Sequence, residues 1–543
     1  MTRDVIEARR RSILRLGAGA ALGAALNLPG AARAQAQTPR RGGTLSIALP
    51  YDLDTLNVFS TGFLGDVQSV VTEGLIAPDQ DAKYFPVLAT EVPTAENGGI
   101  QLSPDGKRMT ITFKLRDGVK WSDGAPFTAA DVRFTWMAVK DPSFIAESKE
   151  GVEDIDEIET PDPLTAVIRF NTVTPIWPSG FFSRGILPKH ALEGKDLNRD
   201  SFNEKPLGTG PFMVTEFRRS RHVIVDRNPH YWRRDAAGTQ LPYLDRMVFN
   251  LTPDATNMVT RLRSGEIMMA YNIPYGQAEA LSASFEIIKN PILSWQRLDF
   301  NFKGPEAFRD LKVRQAFAHA INKDNIARAL SGFPFVVHTP VSPQFDYYDP
   351  DVRRYAFDQA AARRLLDEAG YRAGSDGIRA KGGERMSYRI TVQSGNAADE
   401  TAQQVVMANL KAVGVELRPD NKAGVAFREA RYKGLYDLLY SRWITSADPA
   451  YSKFYGTGGA NNGTGYSNPE LDDLLNKAEH SIDRTELKAL FKRIQAILAD
   501  DVVTIPTTSN VSLIAKTRKL QNFVPNPTNR TIFNNTSGWW LSP

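Results

Sequence analysis

The stretch 113–136, FKLRDGVKWSDGAPFTAADVRFTW, decides the fold class. It opens in an alternation of apolar residues at Ile111, Phe113 and Leu115, the pattern of a half-buried strand. Two Asp-Gly pairs, at 117–118 and 123–124, then signal turns on either side of a short strand. Thr128 stands where a helix cap belongs, ahead of a helix-forming segment. A strand, two turns and a helix in one short stretch indicate a mixed α/β chain.

The same mixture recurs along the chain. Apolar residues alternate at Leu45, Ile47 and Leu49, and this alternation predicts another half-buried strand. In the C-terminal half, Asn468 and Pro469 mark the start of a helix with an apolar stripe. A further helix is predicted over 484–500, with Thr485 as its cap. Strand-like segments follow such helices, which is the pattern of an α/β protein.

Composition excludes several classes of protein. The 543-residue chain has no cysteine, which rules out disulfides, thiolate metal sites, a cysteine nucleophile and a lipid-anchored N-terminal cysteine. The net charge is +4, and residues 1–36 alone hold six arginines and two acids, so the rest of the chain is neutral. The basic isoelectric point therefore gives no support for binding to nucleic acid or to a membrane surface.

The N-terminal segment predicts export. Three arginines at 9–11 precede an apolar run at 16–28, which is too short for the roughly 20 residues of a membrane span. Small-x-small cleavage sites follow at 32–34 and 34–36, as in a signal peptide. The arginine pair at 10–11 resembles the twin-arginine signature, and an ordinary secretory signal is the alternative. We expect a soluble periplasmic protein that begins at residue 35 or 37.

No catalytic motif stands out. None of the six histidines forms a metalloprotease pattern, and the chain has no G-x-S-x-G elbow or phosphate-binding loop. Acid pairs such as Asp154/Asp156 leave an exported hydrolase with paired carboxylates open as an alternative. Eight tryptophans, several in polar settings, favour a binding protein with an aromatic-lined pocket over an enzyme, although most large aromatics belong to cores. We expect no cofactor and no metal.

An ordered set of segments resembles one family. These segments include RGGTLSIALPYDLDTLN, VVTEGLIAPD, FKLRDGVKWSDGAPFTAADVRFTW, PLGTGPFMVTEF, DRNPHYWRR, FRDLKVRQAFAHAINKDNIA, YDLLYSRWITSADP and GYSNPELDDLLNKA. Together they cover about 42–540 and are similar to the peptide/nickel class of ABC-transporter substrate-binding proteins, bacterial extracellular solute-binding protein family 5. The resemblance implies a monomeric protein that captures a small solute and delivers it to a membrane permease. A peptide is the favoured ligand; an oligosaccharide, an opine-like conjugate or a metal chelate is the alternative.

The resemblance also implies an architecture. Members of the family have an α/β periplasmic-binding-protein fold of two lobes, with an extra subdomain on the N-terminal lobe and a ligand cleft between the lobes. Carried onto this chain, lobe I comprises 37–78, 206–296 and 510–543. The extra subdomain comprises 79–205, and lobe II comprises 297–509. Two crossovers, at 298–304 and 504–510, let the lobes close on the ligand by a hinge motion.

The resemblance implies ligand-binding residues on both walls of the cleft. Those of lobe I are Thr61, Gly62 and Phe63, and those of lobe II are Trp443, Ser446 and Asp448, which follow a strand expected at 435–440. Trp443 would form a wall, Ser446 would donate a hydrogen bond, and Asp448 would pair with a cation. Peptide-binding relatives place this Asp three residues after the aromatic. Here it is five residues after and precedes Pro449, so an ordinary helix cap is the alternative role for Asp448.

Overall fold

The computed structural model describes residues 38–61, 65–147, 149, 151–445, 450–528 and 532–543. The predicted export signal lies outside the described residues. Residues 39–543 form one compact unit. Among the described residues, no helix has both the length and the apolarity needed to cross a membrane.

Strands occur in both halves of this unit. They are β1 Thr44–Leu49, β2 Ile76–Pro78, β3 Tyr84–Pro86, β4 Ile100–Leu102, β5 Met109–Lys114, β6 Ile155–Asp162, β7 Thr165–Phe170, β8 Phe212–Arg218, β9 His222–Arg227, β10 Arg246–Leu251, β11 Met269–Tyr271, β12 Phe285–Phe300, β13 Arg372–Ala373, β14 Arg379–Lys381, β15 Glu384–Arg385, β16 Ser387–Thr391, β17 Glu416–Pro419, β18 Leu438–Ile444, β19 Thr504–Thr517, β20 Leu520–Gln521 and β21 Trp540–Leu541.

Helices lie between the strands and are longest in the C-terminal half. They are α1 Gln68–Val71, α2 Ala129–Lys140, α3 Phe181–Arg184, α4 Lys189–Leu192, α5 Ala255–Arg263, α6 Ala278–Ser282, α7 Leu311–Ala320, α8 Lys323–Ala329, α9 Gln359–Glu368, α10 Ala397–Lys411, α11 Gly424–Lys433, α12 Ser452–Tyr455, α13 Pro469–Ala478 and α14 Arg484–Asp500. Short 3₁₀ turns lie at Trp177–Ser179, Ser201–Asn203, Tyr275–Gln277, Glu306–Arg309 and Thr536–Gly538.

One large mixed sheet organises the chain. Its strand order is β17-β16-β18-β12-β19-β11-β1-β10-β9-β8. The two long central strands, β12 and β19, pair antiparallel, with Phe285 opposite Thr517 at one end and Asp299 opposite Thr504 at the other. Beyond them, β18 pairs with β12 on one flank, and β11 pairs with β19 on the other. The sheet therefore has two halves, joined through β12 and β19.

The opening stretch belongs to a separate four-stranded sheet of order β4-β5-β7-β6. Phe113 and Trp121 are fully buried in its core. Gly118 and Gly124 have φ of +72° and +91°, which explains the glycines of both Asp-Gly turns. The strand expected at 119–121 is only a single bridge from Lys120 to Pro126, because the two turns leave too few residues for a ladder. Thr128 precedes α2 as predicted, and its backbone N–H donates to Asp131 at 2.9 Å.

The predicted C-terminal helices form, with one correction at a cap. Asn468 accepts hydrogen bonds from the backbone N–H groups of Glu470 and Leu471, as expected for the start of α13. Thr485, the predicted cap of α14, lies inside the first turn. Asp483 caps that helix instead, because its carboxylate accepts from two N–H groups of the first turn.

Candidate ligand-binding cleft

A cavity of about 280 Å³ lies beside Thr61, and its lining includes residues of the N-terminal half of the chain and Asn534, Thr536 and Ser537. Thr61 is 3% exposed and lines this cavity at the start of the 61–66 segment. Its apolar wall comprises Val58, Ala77, Phe85, Val87 and Pro211. The volume is close to the lower end of the range of about 300–1,000 Å³ that small-molecule sites occupy.

Both signs of charge line the same cavity. The lining includes two acids, Glu73 and Glu147, and two arginines, Arg184 and Arg233. Glu73 is held in place by the Tyr231 hydroxyl at 3.0 Å and by the indole N–H of Trp232 at 2.9 Å. Burial raises the pKa of Glu73, and the charge of Arg233 opposes that rise. The cavity therefore offers fixed polar groups and an apolar wall to one small solute.

Arg233 is positioned by stacking. Its guanidinium carbon lies 4.8 Å from the centroid of the Trp232 ring, and Arg116 lies at the same distance. The Nε of Arg233 is buried and has no hydrogen-bond partner among the described residues. A buried N–H without an acceptor is costly, so this atom favours an acceptor brought by a ligand or by water.

Asp66 is a buried carboxylate close to the cavity residue Gly65 in sequence. Its carboxylate is 5% exposed and accepts hydrogen bonds from the hydroxyls of Tyr51 and Tyr271. The two hydroxyls lie 3.1 Å apart. Burial raises the pKa of Asp66 to about 6, against the lowering effect of the two tyrosines. These hydrogen bonds tie Asp66 to β11, and thus to the large sheet.

Trp443 lies inside β18 rather than after it. The strand spans Leu438–Ile444, three residues later than the sequence suggested. The chain from 434 to 437 forms a turn instead, because Gly434 ends α11 with φ +68° and the Asp437 carboxylate accepts from the backbone N–H of Arg389. Leu435, the first residue of the expected strand, is 51% exposed.

The ring of Trp443 is 6% exposed and carries two arginines. The guanidinium carbons of Arg431 and Arg297 lie 3.7 and 4.3 Å from its centroid. Phe454 packs against the same ring with centroids 4.1 Å apart. Trp443 pairs directly with Trp295 across the ladder of β18 and β12. Trp443 thus anchors a cationic face on the C-terminal half of the sheet.

The structure separates the two predicted site residues that it describes. Thr61 lines the cavity, whereas Trp443 does not and belongs to the arginine-rich face. The other predicted site residues, Gly62, Phe63, Ser446 and Asp448, lie outside the described residues. Within the described ranges, no group of three or more acidic or histidine side chains could hold a metal ion.

Arg297 and Arg431 are not among the site residues predicted from the sequence. The signal for Arg297 was the pattern Trp295-x-Arg297-x-Asp299, which puts two charges on one face of a strand with apolar neighbours. Arg431 carried no comparable signal, because its helix is mostly exposed and rich in charge.

Comparison with known proteins decides the family. The family model described as "Bacterial extracellular solute-binding proteins, family 5 Middle" matches residues 83–465. The chain belongs to this family. As a solute-binding protein of family 5 it is the substrate-binding component of an ABC transporter, so the family and the function predicted from the sequence are confirmed. The family is one of binding proteins rather than of enzymes.

Relatives span nearly the whole solute-binding protein. It is 27% identical to the oligopeptide-binding protein AppA of Bacillus subtilis over 533 residues, which cover 94% of each chain. It is 29% identical to the glutathione-binding protein GsiB of Pectobacterium atrosepticum, over 90% of this chain and 91% of that one. Among solved structures, NikZ from Campylobacter jejuni in complex with Ni(L-His) matches with a TM-score of 0.77 and 24% identity, over 92% and 99% of the two chains. The predicted two-lobed α/β fold is confirmed.

Proposed function

We propose that this solute-binding protein captures a short peptide between its lobes and delivers it to a membrane permease. The observation that carries the proposal is the match to solute-binding protein family 5 over residues 83–465. The cavity beside Thr61, whose lining falls within lobe I and the extra subdomain as assigned below, adds two acids, two arginines and an apolar wall to the lobe I side. A short peptide carries an ammonium, a carboxylate and apolar side chains at fixed spacings, and this lining complements all three. The names of AppA and GsiB, which bind oligopeptides and glutathione, support the same ligand class.

The arrangement of the lobes is part of the proposal. Lobe I comprises 37–78, 206–296 and 510–543, the extra subdomain comprises 79–205, and lobe II comprises 297–509. Thr61, Gly62 and Phe63 face the ligand from lobe I, and Trp443, Ser446 and Asp448 face it from lobe II. Closure buries the ligand. The ligand shifts the equilibrium towards the closed form to the extent that it binds this form more tightly than the open form.

The proposed function also includes export of the protein. Residues 1–36 act as a signal peptide of the twin-arginine type, and the protein works as a periplasmic monomer without a lipid anchor on cysteine. The features that support this are the arginines at 10–11, the short apolar run and the absence of cysteine from the sequence.

Calorimetric titration tests the ligand class. The exported protein is unfolded and refolded to remove any co-purified solute, then titrated with di-, tri- and tetrapeptides, nickel–histidine, an opine and a maltooligosaccharide. The proposal predicts heat of binding with peptides. Binding of only a non-peptide solute would contradict the peptide proposal and leave the transport role standing.

Variants in lobe II test the position of the cleft. Asp448→Ala should weaken the peptide found in that titration by at least tenfold, since losing one partner of a buried charged hydrogen bond costs about 2–5 kcal/mol. Trp443→Ala should do the same, but truncation of so buried a ring also costs about 3–5 kcal/mol of stability. Trp443→Phe therefore accompanies it as the milder change.

The matched control is Asp473→Ala, an exposed carboxylate on α13 that pairs with Lys477 at 2.7 Å. This variant should bind like the parent. Unchanged affinity in Asp448→Ala and in both Trp443 variants would place the cleft elsewhere.

A further inference from the structure

Two guanidinium groups lie against Trp443, and that of Arg297 is paired with a carboxylate. We call Arg297, Asp299, Arg431, Ser441 and Tyr455 the arginine cluster. Arg297 is 1% exposed and binds Asp299 through two contacts, Nε–Oδ1 at 2.8 Å and Nη2–Oδ2 at 2.7 Å. Asp299 also accepts from the Thr504 hydroxyl at 2.8 Å, so its acceptor capacity is largely used. Arg431 has no ion-pair partner among the described residues, and the cluster therefore carries one positive charge in excess.

Acidic groups around the cluster do not remove this excess. Asp399 lies within electrostatic range of Arg431 and of Arg442, but its hydrogen bonds come from the side-chain amides of Gln296 and Asn396. Of the two arginines, Arg442 has the larger effect on Asp399, where its charge lowers the pKa against the rise caused by burial. Burial, followed by repulsion from Arg297, lowers the pKa of Arg431 only to about 10, so Arg431 stays charged at neutral pH.

Four polar atoms of the cluster are buried without a hydrogen-bond partner in the part of the chain that the structure describes. They are Arg297 Nη1, Arg431 Nε, Ser441 Oγ and Tyr455 Oη. Strand register brings two of these residues together, because Arg297 is directly opposite Ser441 in the ladder of β12 and β18. Tyr455 reaches the group from α12, and electrostatic coupling links its hydroxyl to both arginines. All four atoms can donate a hydrogen bond, and an unmet buried donor costs about 1–3 kcal/mol.

The guanidinium groups of Arg297 and Arg431 both lie over the ring of Trp443. A guanidinium that lies over an aromatic ring uses its face for that contact and keeps its N–H groups in its own plane. Asp299 occupies the Nε and Nη2 groups of Arg297, so the donors left for a further acceptor among the described residues are Nη1 of Arg297 and Nε of Arg431. Arg431 is half-buried as a residue, whereas Arg297, Asp299, Ser441 and Tyr455 are buried.

We propose that the arginine cluster binds a carboxylate of the transported solute, which restricts the solute to carboxylate-bearing molecules. The inference rests on the proposed cleft at Trp443. A carboxylate presents two oxygens in a plane, which matches guanidinium edges better than a spherical anion does. Its single negative charge equals the excess charge of the cluster, whereas a phosphate dianion would leave an uncompensated buried negative charge.

Paired peptide libraries test the inference. The exported protein is incubated with a random tripeptide library that has free C-terminal carboxylates and, separately, with the same library amidated at the C-terminus; retained peptides are quantified by mass spectrometry. We expect the free-acid library to be retained at least tenfold better. If the amidated library is retained with strong enrichment of Asp and Glu, the carboxylate comes from a side chain and the cluster keeps its role. Equal retention without such enrichment would overturn the inference and leave the peptide proposal intact.

Substitutions in the arginine cluster test whether this cluster is the group that binds the carboxylate. Arg431→Gln should lose at least tenfold in affinity for the retained free-acid peptides and less than twofold for their amides. Arg428→Gln, an exposed arginine one turn earlier in α11, is the matched control and should bind like the parent. Tyr455→Phe removes a single oxygen and should cost about threefold or more, which keeps the test open if Arg431→Gln does not fold. Retention of the free-acid peptides unchanged in both cluster variants would refute the assignment.

If the parent retains neither library, the peptide proposal is overturned. Acetate is then the probe that tests carboxylate binding by the arginine cluster. The cluster still predicts that sodium acetate raises the melting temperature of the parent more than sodium chloride at equal ionic strength, and that Arg431→Gln abolishes the difference. An equal response of the parent to the two salts would then overturn the carboxylate inference as well.

Discussion

Asp66 makes the stability of this protein depend on pH in a direction opposite to that of most paired carboxylates. Its pKa rises from 3.8 to about 6, because burial penalises the charged form more than the hydroxyls of Tyr271 and Tyr51 favour it. The unfolded chain therefore releases this proton at lower pH than the folded chain does. Ionisation of Asp66 above pH 6 therefore destabilises the folded state. The free energy of unfolding should rise as pH falls from 6 towards 3.8.

The magnitude follows from the shift. One pKa unit corresponds to about 1.4 kcal/mol, so a change from 3.8 to about 6 corresponds to about 3 kcal/mol between the two limits of pH. About half of this change in the free energy of unfolding occurs between pH 5 and pH 8. Asp66→Asn cannot ionise, so the stability of this variant relative to the parent should increase by about 1.4 kcal/mol on going from pH 5 to pH 8.

Urea unfolding, followed by tryptophan fluorescence at pH 5, 6, 7 and 8, measures this difference. Tyr271→Phe is the informative second variant, because it removes a hydrogen bond that lowers the pKa of Asp66 and should make the pH dependence steeper than in the parent. Asp473→Asn changes an exposed carboxylate and should parallel the parent. Parallel pH profiles for the parent and Asp66→Asn would refute the reasoning.

Three further predictions concern packing, closure and export. Gly208→Ala should destabilise the fold by at least 1–3 kcal/mol, because the new Cβ would lie 1.8 Å from the carbonyl oxygen of Val71; Gly276→Ala, with open space around its Cβ, should be nearly neutral in thermal unfolding. Small-angle scattering should show a smaller radius of gyration with saturating peptide, and an unchanged radius would count against hinge closure. Replacing the arginines at 10–11 by lysines should stop export through the twin-arginine route, and normal export of that variant would exclude the route.

Local chemistry explains what the sequence could predict. The Asp-Gly turns at 117–118 and 123–124, the residue that precedes α2 and the Asn468 cap of α13 each depend on a few neighbouring residues, and all four form. The boundaries of helices were harder to predict. The cap of α14 moved to Asp483 because two suitable polar residues compete within three positions, and local propensity does not choose between them.

The site was harder to predict because it depends on register. Arg297 and Arg431 lie more than a hundred residues apart in sequence, and they meet only because β12 pairs with β18 so that Trp443 comes opposite Trp295. A shift of one residue in that ladder would turn the Arg297 side chain to the other face of the sheet. No sequence pattern within either segment specifies this register.

The position of the arginine cluster also connects ligand capture to the proposed closure. The ladder of β12 and β19 is regular from Phe285 to Pro291, and its register then shifts twice before Arg297, opposite the segment from Val511 to Pro506. Irregular pairing of this kind interrupts the hydrogen bonds between strands and permits a local bend. The irregular pairing overlaps the 504–510 crossover proposed for the hinge. Arg297 is the first paired residue beyond the irregular segment, so a carboxylate bound to it contacts the point where a rotation between the lobes would have to be absorbed.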